Sequence, residues 1–270
     1  MLLSFWTVLT IIGLTLTSPV PAPVPNANAA PVPAPLANPS PNPNELAERE
    51  TDLNAFLSLL LDHLPAIDGT LTAISGILTT FQGFLALVSG KKTTYNQLAS
   101  SCKPYTVVFA RGTVEPGNVG ILVGPPFFDA LKAKVGSAAL ALQGVNDYKA
   151  SIAGYLAGGD VKGSVNMATQ IAKAFELCPN TKLVVSGYSQ GGQLVHNALA
   201  SLPAATAAWV SKVVIFGDPN NGTAISNVPA SKVMTFCHKG DNICVDGLRV
   251  LQQHLTYGLD ARNAANFVIS

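Results

Sequence analysis

The sequence predicts an α/β protein: a central parallel sheet of about five strands, helices on both faces, and a helical hairpin ahead of it. Two observations carry the sheet. Short apolar runs, Tyr105–Ala110, Ala138–Val145, Leu183–Val185, Lys212–Phe216 and Lys232–Phe236, read as strands. They alternate with helical patterns at Pro126–Lys134, at Ser164–Leu177 and after the third run, the arrangement that a parallel sheet covered on both sides requires. A third observation points to chemistry. The stretch Leu183-Val184-Val185-Ser186-Gly187-Tyr188-Ser189-Gln190-Gly191-Gly192-Gln193 is a strand, a tight Gly-x-Ser-x-Gly turn and the start of a helix.

Taken in order, the chain begins with an uncharged run, Met1–Thr17, rich in Leu, Ile, Phe and Trp. It is short for a membrane span and prolines follow at once, so residues 1–18 read as a signal peptide. Cleavage could follow Val20-Pro21-Ala22 or Ala27-Asn28-Ala29. Residues 19–44 form an extended linker, since ten prolines between Pro19 and Pro43 forbid helix and sheet interior alike.

Residues 45–92 change character. Leu53, Phe56, Leu57, Leu60 and Leu64 fall at helical spacing, and Pro65 interrupts them. Ile67, Leu71, Ile74, Leu78, Phe81, Leu85 and Val88 then recur at intervals of four and three, an apolar stripe along one helix face. Gly69, Gly76 and Gly83, spaced by sevens, predict a line along which a second element approaches closely. Two helices cannot bury such a stripe alone, so it needs the following domain, a second copy or an apolar surface. Propeptide, self-packed appendage, lid and surface anchor all fit that need. Lys91-Lys92 is a candidate processing point at the exit.

The following domain spans 102–270. With 11% charged residues and a net charge of +1, the chain has no electrostatic footprint for nucleic acid or an acidic partner. Four cysteines behind a secretion signal suit an oxidising, extracellular compartment. No Cys/His cluster has metal-ligand spacing, and no cofactor motif is visible.

A serine hydroxyl needs a base, and the base an orienting acid. Where the nucleophile sits on this kind of elbow, the chain order is Ser, acid, His. That order leaves His196, His238 and His254 downstream of Ser189. His196 is two turns along the elbow helix, and His238 has only Asp218 between itself and the serine. His254, in a loop-like run after the last strand, is therefore the candidate base. For the acid, Asp218, Asp241 and Asp246 satisfy the order. Asp241 is preferred because it lies between Cys237 and Cys244, where a bridged loop would hold a carboxylate rigidly. The oxyanion hole requires backbone N–H groups. One belongs to Gln190, after the nucleophile, and the other to Arg111-Gly112-Thr113, with the Thr113 hydroxyl a possible third donor.

With these residues assembled, the chain resembles the cutinase family of secreted serine esterases. Ala110-Arg111-Gly112-Thr113-Val114-Glu115-Pro116-Gly117-Asn118-Val119-Gly120 is similar to the family's oxyanion loop. Gly187-Tyr188-Ser189-Gln190-Gly191 resembles its nucleophile motif, Cys237 through Gly240-Asp241 to Cys244 its acid loop, and His254-Leu255-x-Tyr257 its histidine motif. The match covers roughly 102–270. Thr113 stands where many members have serine, and Gly192 where alanine is usual.

The resemblance implies a compact α/β-hydrolase-like three-layer sandwich with a five-stranded parallel sheet, no large lid and a serine open to solvent. It implies Ser189, Asp241 and His254 as the triad, Thr113 and Gln190 at the oxyanion hole, and Leu248 and Val250 bordering the acyl site. It further implies disulfides Cys102–Cys178 and Cys237–Cys244, and no cofactor. It assigns no role to the hairpin. The expected activity is cleavage of cutin-type aliphatic polyester at a hydrophobic surface. Acetylxylan esterase shares the motif set, and a non-catalytic coating protein that uses the hairpin stripe is a third reading. Asn221-Gly222-Thr223 is a candidate glycosylation sequon.

Overall fold

The computed structural model describes residues 43–98 and 101–270; the expected signal peptide, and the linker up to residue 42, lie outside the described residues. In chain order the elements are α1 (Pro43–Asp62), β1 (Asp68–Thr70), α2 (Leu71–Ser89), β2 (Tyr105–Ala110), α3 (Gly124–Val135), β3 (Leu140–Gly144), α4 (Ile152–Leu156), α5 (Val161–Leu177), β4 (Lys182–Tyr188), α6 (Gln190–Ser201), α7 (Ala204–Trp209), β5 (Lys212–Phe216), β6 (Val233–Phe236), β7 (Arg249–Leu251) and α8 (Ala261–Ile269).

Five strands pair in parallel in the order β3-β2-β4-β5-β6, which puts the nucleophile strand β4 at the centre. Successive side chains leave a strand on opposite faces, and here each face builds its own core. Val107 and Phe109 of β2, Val184 of β4, and Val214 and Phe216 of β5 join α3 and α8 on one side. Val108, Leu183, Val185, Val213 and Ile215 join α5, α6 and α7 on the other. Helix, sheet and helix are the three layers of an α/β-hydrolase-like sandwich.

The hairpin belongs to the first of these cores. Leu53, Phe56 and Leu60 of α1, and Leu71, Ile74, Leu78, Phe81 and Leu85 of α2, are buried in the same apolar cluster as Phe109, Phe127 and Phe216. The domain's own core thus covers the stripe that the sequence left without a partner, except at its last member, Val88, which is 46% exposed. Helix α2 starts at Thr70, whose hydroxyl accepts the Ala73 N–H, and ends at Gly90 in the left-handed region. Gly76 and Gly83 face open space rather than a second element, because the apolar stripe turns the helix the other way.

A small antiparallel ribbon stitches the hairpin to the loop ahead of His254. β1 pairs with β7, Asp68 opposite Leu251 and Thr70 opposite Arg249. Leu71 N–H donates to the Leu248 carbonyl at 2.8 Å, and the Arg249 guanidinium pairs with Asp68. After α2 the chain runs along the edge of β3, where Gln97 N–H donates to the Leu142 carbonyl and Tyr95 O accepts the Gly144 N–H.

Candidate active site

Ser189 sits between β4 and α6 with φ 56° and ψ −122°, a conformation non-glycine residues seldom adopt. The turn is possible because its flanks lack Cβ atoms. A Cβ on Gly187 would lie 2.3 Å from the Gly191 carbonyl oxygen, and one on Gly191 would lie 2.1 Å from that of Ala110. The Ser189 N–H donates to Phe216 O on the neighbouring strand, and α6 begins at the next residue. The positive end of that helix therefore faces the serine.

The residues expected to activate the serine converge on it. His254 lines the same small cavity as Ser189 and Thr113. Its Nδ1 donates to Asp241 Oδ2 at 2.8 Å, with both side chains almost fully buried. The Tyr188 ring stacks on the imidazole at 5.2 Å, and the Tyr188 hydroxyl donates to the His254 carbonyl at 2.7 Å. The residue before Ser189 thus holds the His254 ring in place.

Asp241 is fixed by three donors. Oδ2 also accepts the Tyr257 hydroxyl at 2.7 Å, and Oδ1 accepts the Ile243 N–H at 3.0 Å. Burial alone would push this carboxyl up. The hydrogen bond and charge of His254, then the Tyr257 and Ile243 bonds, outweigh it and hold the carboxyl below its ordinary value. The Cys237–Cys244 disulfide closes the loop that carries Asp241, and Cys102–Cys178 ties the chain entering β2 to the end of α5.

The loop that carries Thr113 is built around a second buried carboxylate. Glu115 accepts the Gly112 N–H at 2.8 Å through Oε2, and those of Ile121 and Leu122 at 3.0 and 2.9 Å through Oε1. Burial raises its pKa, against the pull of these N–H groups and of Arg111. Gln190 Nε2 donates to Thr113 Oγ1 at 2.9 Å and to the Ser151 carbonyl at 2.8 Å. The Thr113 oxygen is thereby used as an acceptor, which leaves its hydrogen for the cavity.

The rival candidates lie elsewhere. His196 Nε2 bonds Asp218 at 2.9 Å, and His238 Nε2 bonds Asp260 at 2.7 Å while its ring stacks on Tyr257. Asp246 is exposed, in a left-handed turn. Val250 lines the cavity, but Leu248 does not; it is 47% exposed at the seam with α2, where its carbonyl is taken by Leu71. Asn221 is exposed in the turn after β5.

One expectation is overturned. The serine is not open to solvent: Ser189 is 6% and His254 3% exposed. Leu71, Leu78 and Gln82 of α2 line the cavity together with Ser189 and His254, and its volume of about 10 Å³ has room for about one water molecule. The four motifs could not foretell this, because the cover comes from a segment outside them. The one signal present was the stripe, interrupted at Gln82 by a polar residue on its buried side. Glu115 and Tyr257 were visible only as members of their motifs.

A family model described as Cutinase matches residues 101–270. Cutinase pbc1 of Pyrenopeziza brassicae is 55% identical over 183 residues, 68% of this chain and 89% of its own length. The solved structure of a Trichoderma reesei cutinase in complex with a phosphonate inhibitor matches with a TM-score of 0.68 and 42% identity. That likeness covers 83% of this chain and 97% of the other, so it reaches upstream of residue 101 into the hairpin. The catalytic core of an acetyl xylan esterase from Trichoderma reesei is more distant: TM-score 0.50, 23% identity, 63% of this chain and 98% of the other. At that identity the likeness shows the fold alone.

Proposed function

The chain belongs to the cutinase family, and on that premise we propose that it is a secreted esterase that cleaves cutin-type aliphatic polyester through an acyl-enzyme on Ser189. The observation that carries the reading is the single cavity shared by Ser189, His254 and Thr113, with Asp241 bonded behind the imidazole.

In the proposed mechanism His254 Nε2 takes the Ser189 proton as Oγ attacks the ester carbonyl. The oxyanion is held by the Gln190 N–H and the Thr113 loop, and Asp241 stabilises the imidazolium. The proton then passes to the departing alcohol. Water, deprotonated by the same imidazole, releases the acid and restores the serine. Preorganised donors cost nothing to reorient during reaction, so the Glu115 clamp on the oxyanion loop contributes to rate without touching substrate.

In this reading α2 moves to admit substrate, since the cavity it lines with Ser189 has room for about one water. The helix suits a lid because it is apolar on both sides. Its inner face seals the site, while Ile77, Phe84, Leu87 and Val88 on its outer face are 41–81% exposed. Contact of that outer face with a polyester or lipid-like surface would repay the exposure of the inner one. Secretion is supported by the apolar N-terminal run and by two disulfides.

The test is hydrolysis of p-nitrophenyl butyrate, cutin and acetylated xylan by the wild-type protein and Ser189→Ala. Wild-type cleavage of the butyrate ester and cutin, abolished in the variant, is expected. Activity surviving in the variant, or confined to acetylated xylan, overturns the reading.

A further inference from the structure

Helix α2 buries six side chains: Leu71, Ile74, Leu78, Phe81, Gln82 and Leu85. Five are apolar, and Leu71 and Leu78 are the ones that reach the catalytic cavity. The sixth, Gln82, reaches it too, beside Ser189, Thr113 and His254. It is 2% exposed, and its Oε1 has no hydrogen-bond partner. The Oε1 atoms of Gln190 and Gln193 are buried without a partner as well, but both of these side chains are held through Nε2. Gln190 spends its Nε2 on Thr113 and Ser151, and Gln193 on the Tyr155 carbonyl. Among the described residues, Gln82 has no such anchor.

A buried acceptor without a donor destabilises the closed form, and a leucine or methionine at this position would seal the seam without that cost. The polar choice has a use when a donor enters the gap between α2 and Ser189. An amide oxygen accepts from N–H or O–H, and the ester of an aliphatic chain offers neither unless the chain carries a hydroxyl. We propose that Gln82 is a substrate-binding residue that accepts a hydrogen bond from a hydroxyl carried near the scissile ester, and so selects hydroxy-substituted aliphatic esters over unsubstituted ones. The inference rests on the reading of Ser189 as the nucleophile of an esterase. A site built around a hydroxyl discriminates against the analogue lacking it, because the buried acceptor is then left empty.

The experiment uses pairs of matched size and reads a ratio. On the alcohol side the pair is 2-hydroxyethyl butanoate and propyl butanoate; on the acyl side, methyl 6-hydroxyhexanoate and methyl heptanoate. Wild-type protein, Gln82→Leu and Gln82→Met are compared by kcat/KM on all four. The expected result is a hydroxy-to-plain ratio about tenfold higher in wild type than in either variant, for at least one pair. A loss of lid packing alone would move both members of a pair together, so equal ratios in all three proteins overturn the proposal. The two readings fail differently. A wild-type protein inactive on all four esters sinks the esterase reading; one that cleaves them with ratios unmoved by the variants sinks only the role of Gln82.

Discussion

Two buried histidine–aspartate pairs lie among the described residues, and they have almost the same bond. His254 Nδ1 meets Asp241 at 2.8 Å, and His196 Nε2 meets Asp218 at 2.9 Å, each with both side chains largely out of solvent. What differs is the nitrogen left over. Binding through Nδ1 leaves Nε2 of His254 uncommitted to the carboxylate, and His254 lines the cavity that holds Ser189. Binding through Nε2 commits the far end of the His196 ring to the carboxylate. A histidine–aspartate bond alone therefore does not identify a catalytic pair; on the function proposed above, the distinguishing feature is the ring nitrogen left uncommitted beside the cavity.

The most direct way to break this comparison is to make the same change in both pairs. Asp241→Asn keeps the shape but favours the wrong imidazole tautomer, and kcat should fall about 10,000-fold. Asp218→Asn should leave kcat near wild type and show instead as a loss of about 1 kcal/mol in thermal unfolding. Steady-state kinetics with calorimetry on both variants checks this. Similar kinetic losses in the two would mean that the pair on α6 takes part in the reaction and that the distinction between ring nitrogens is mistaken.

Tyr257→Phe sharpens what sets the catalytic pair apart. The phenol donates to the same Asp241 oxygen as His254, and the second pair has no counterpart to it among the described residues. Removing a hydrogen bond to a charged group should cost about 2 kcal/mol at neutral pH. The carboxyl is held below its ordinary value, so the stability it adds is fully present above the unfolded-state pKa of about 4 and is lost as pH falls through the lower folded value. The stability gap between wild type and Tyr257→Phe should hold from pH 7 to about 5 and shrink below about 4. Unfolding followed across that range decides it; a gap that widens on acidification would show that the phenol does not act through the ionised carboxylate.

The same contrast explains how much could be read from the chain. The strand runs and the elbow were legible because each is local: β-branched runs, and two glycines where a Cβ would strike backbone. The pairing of His254 with Asp241 was legible because chain order singles out the one and cysteines seven apart bracket the other. The partners of His196 and His238 were not, since a hydrogen bond between residues 22 apart leaves no periodic trace. The cover over Ser189 was half legible. Spacing gave the buried face of α2, but what that face met depended on a ribbon pairing residues 68–70 with 249–251, across some 180 positions of sequence.

That ribbon joins α2 to the loop of His254 and gives the smallest effect expected. Arg249 lies on the strand that leads to His254, and its guanidinium spans to Asp68 at the root of α2. Both side chains are more than half exposed, so solvent screening limits the pair to at most about 1 kcal/mol. If the pair helps to keep α2 down, Asp68→Ala should raise kcat/KM on a soluble short-chain ester by no more than about fivefold, and added salt should raise the wild type toward the variant. The ladder bonds remain in the variant, so the catalytic pair itself should keep its pH dependence. A fall in activity instead of a rise would mean that the ribbon serves to hold His254 in place, and that closure of α2 is governed by its apolar face alone.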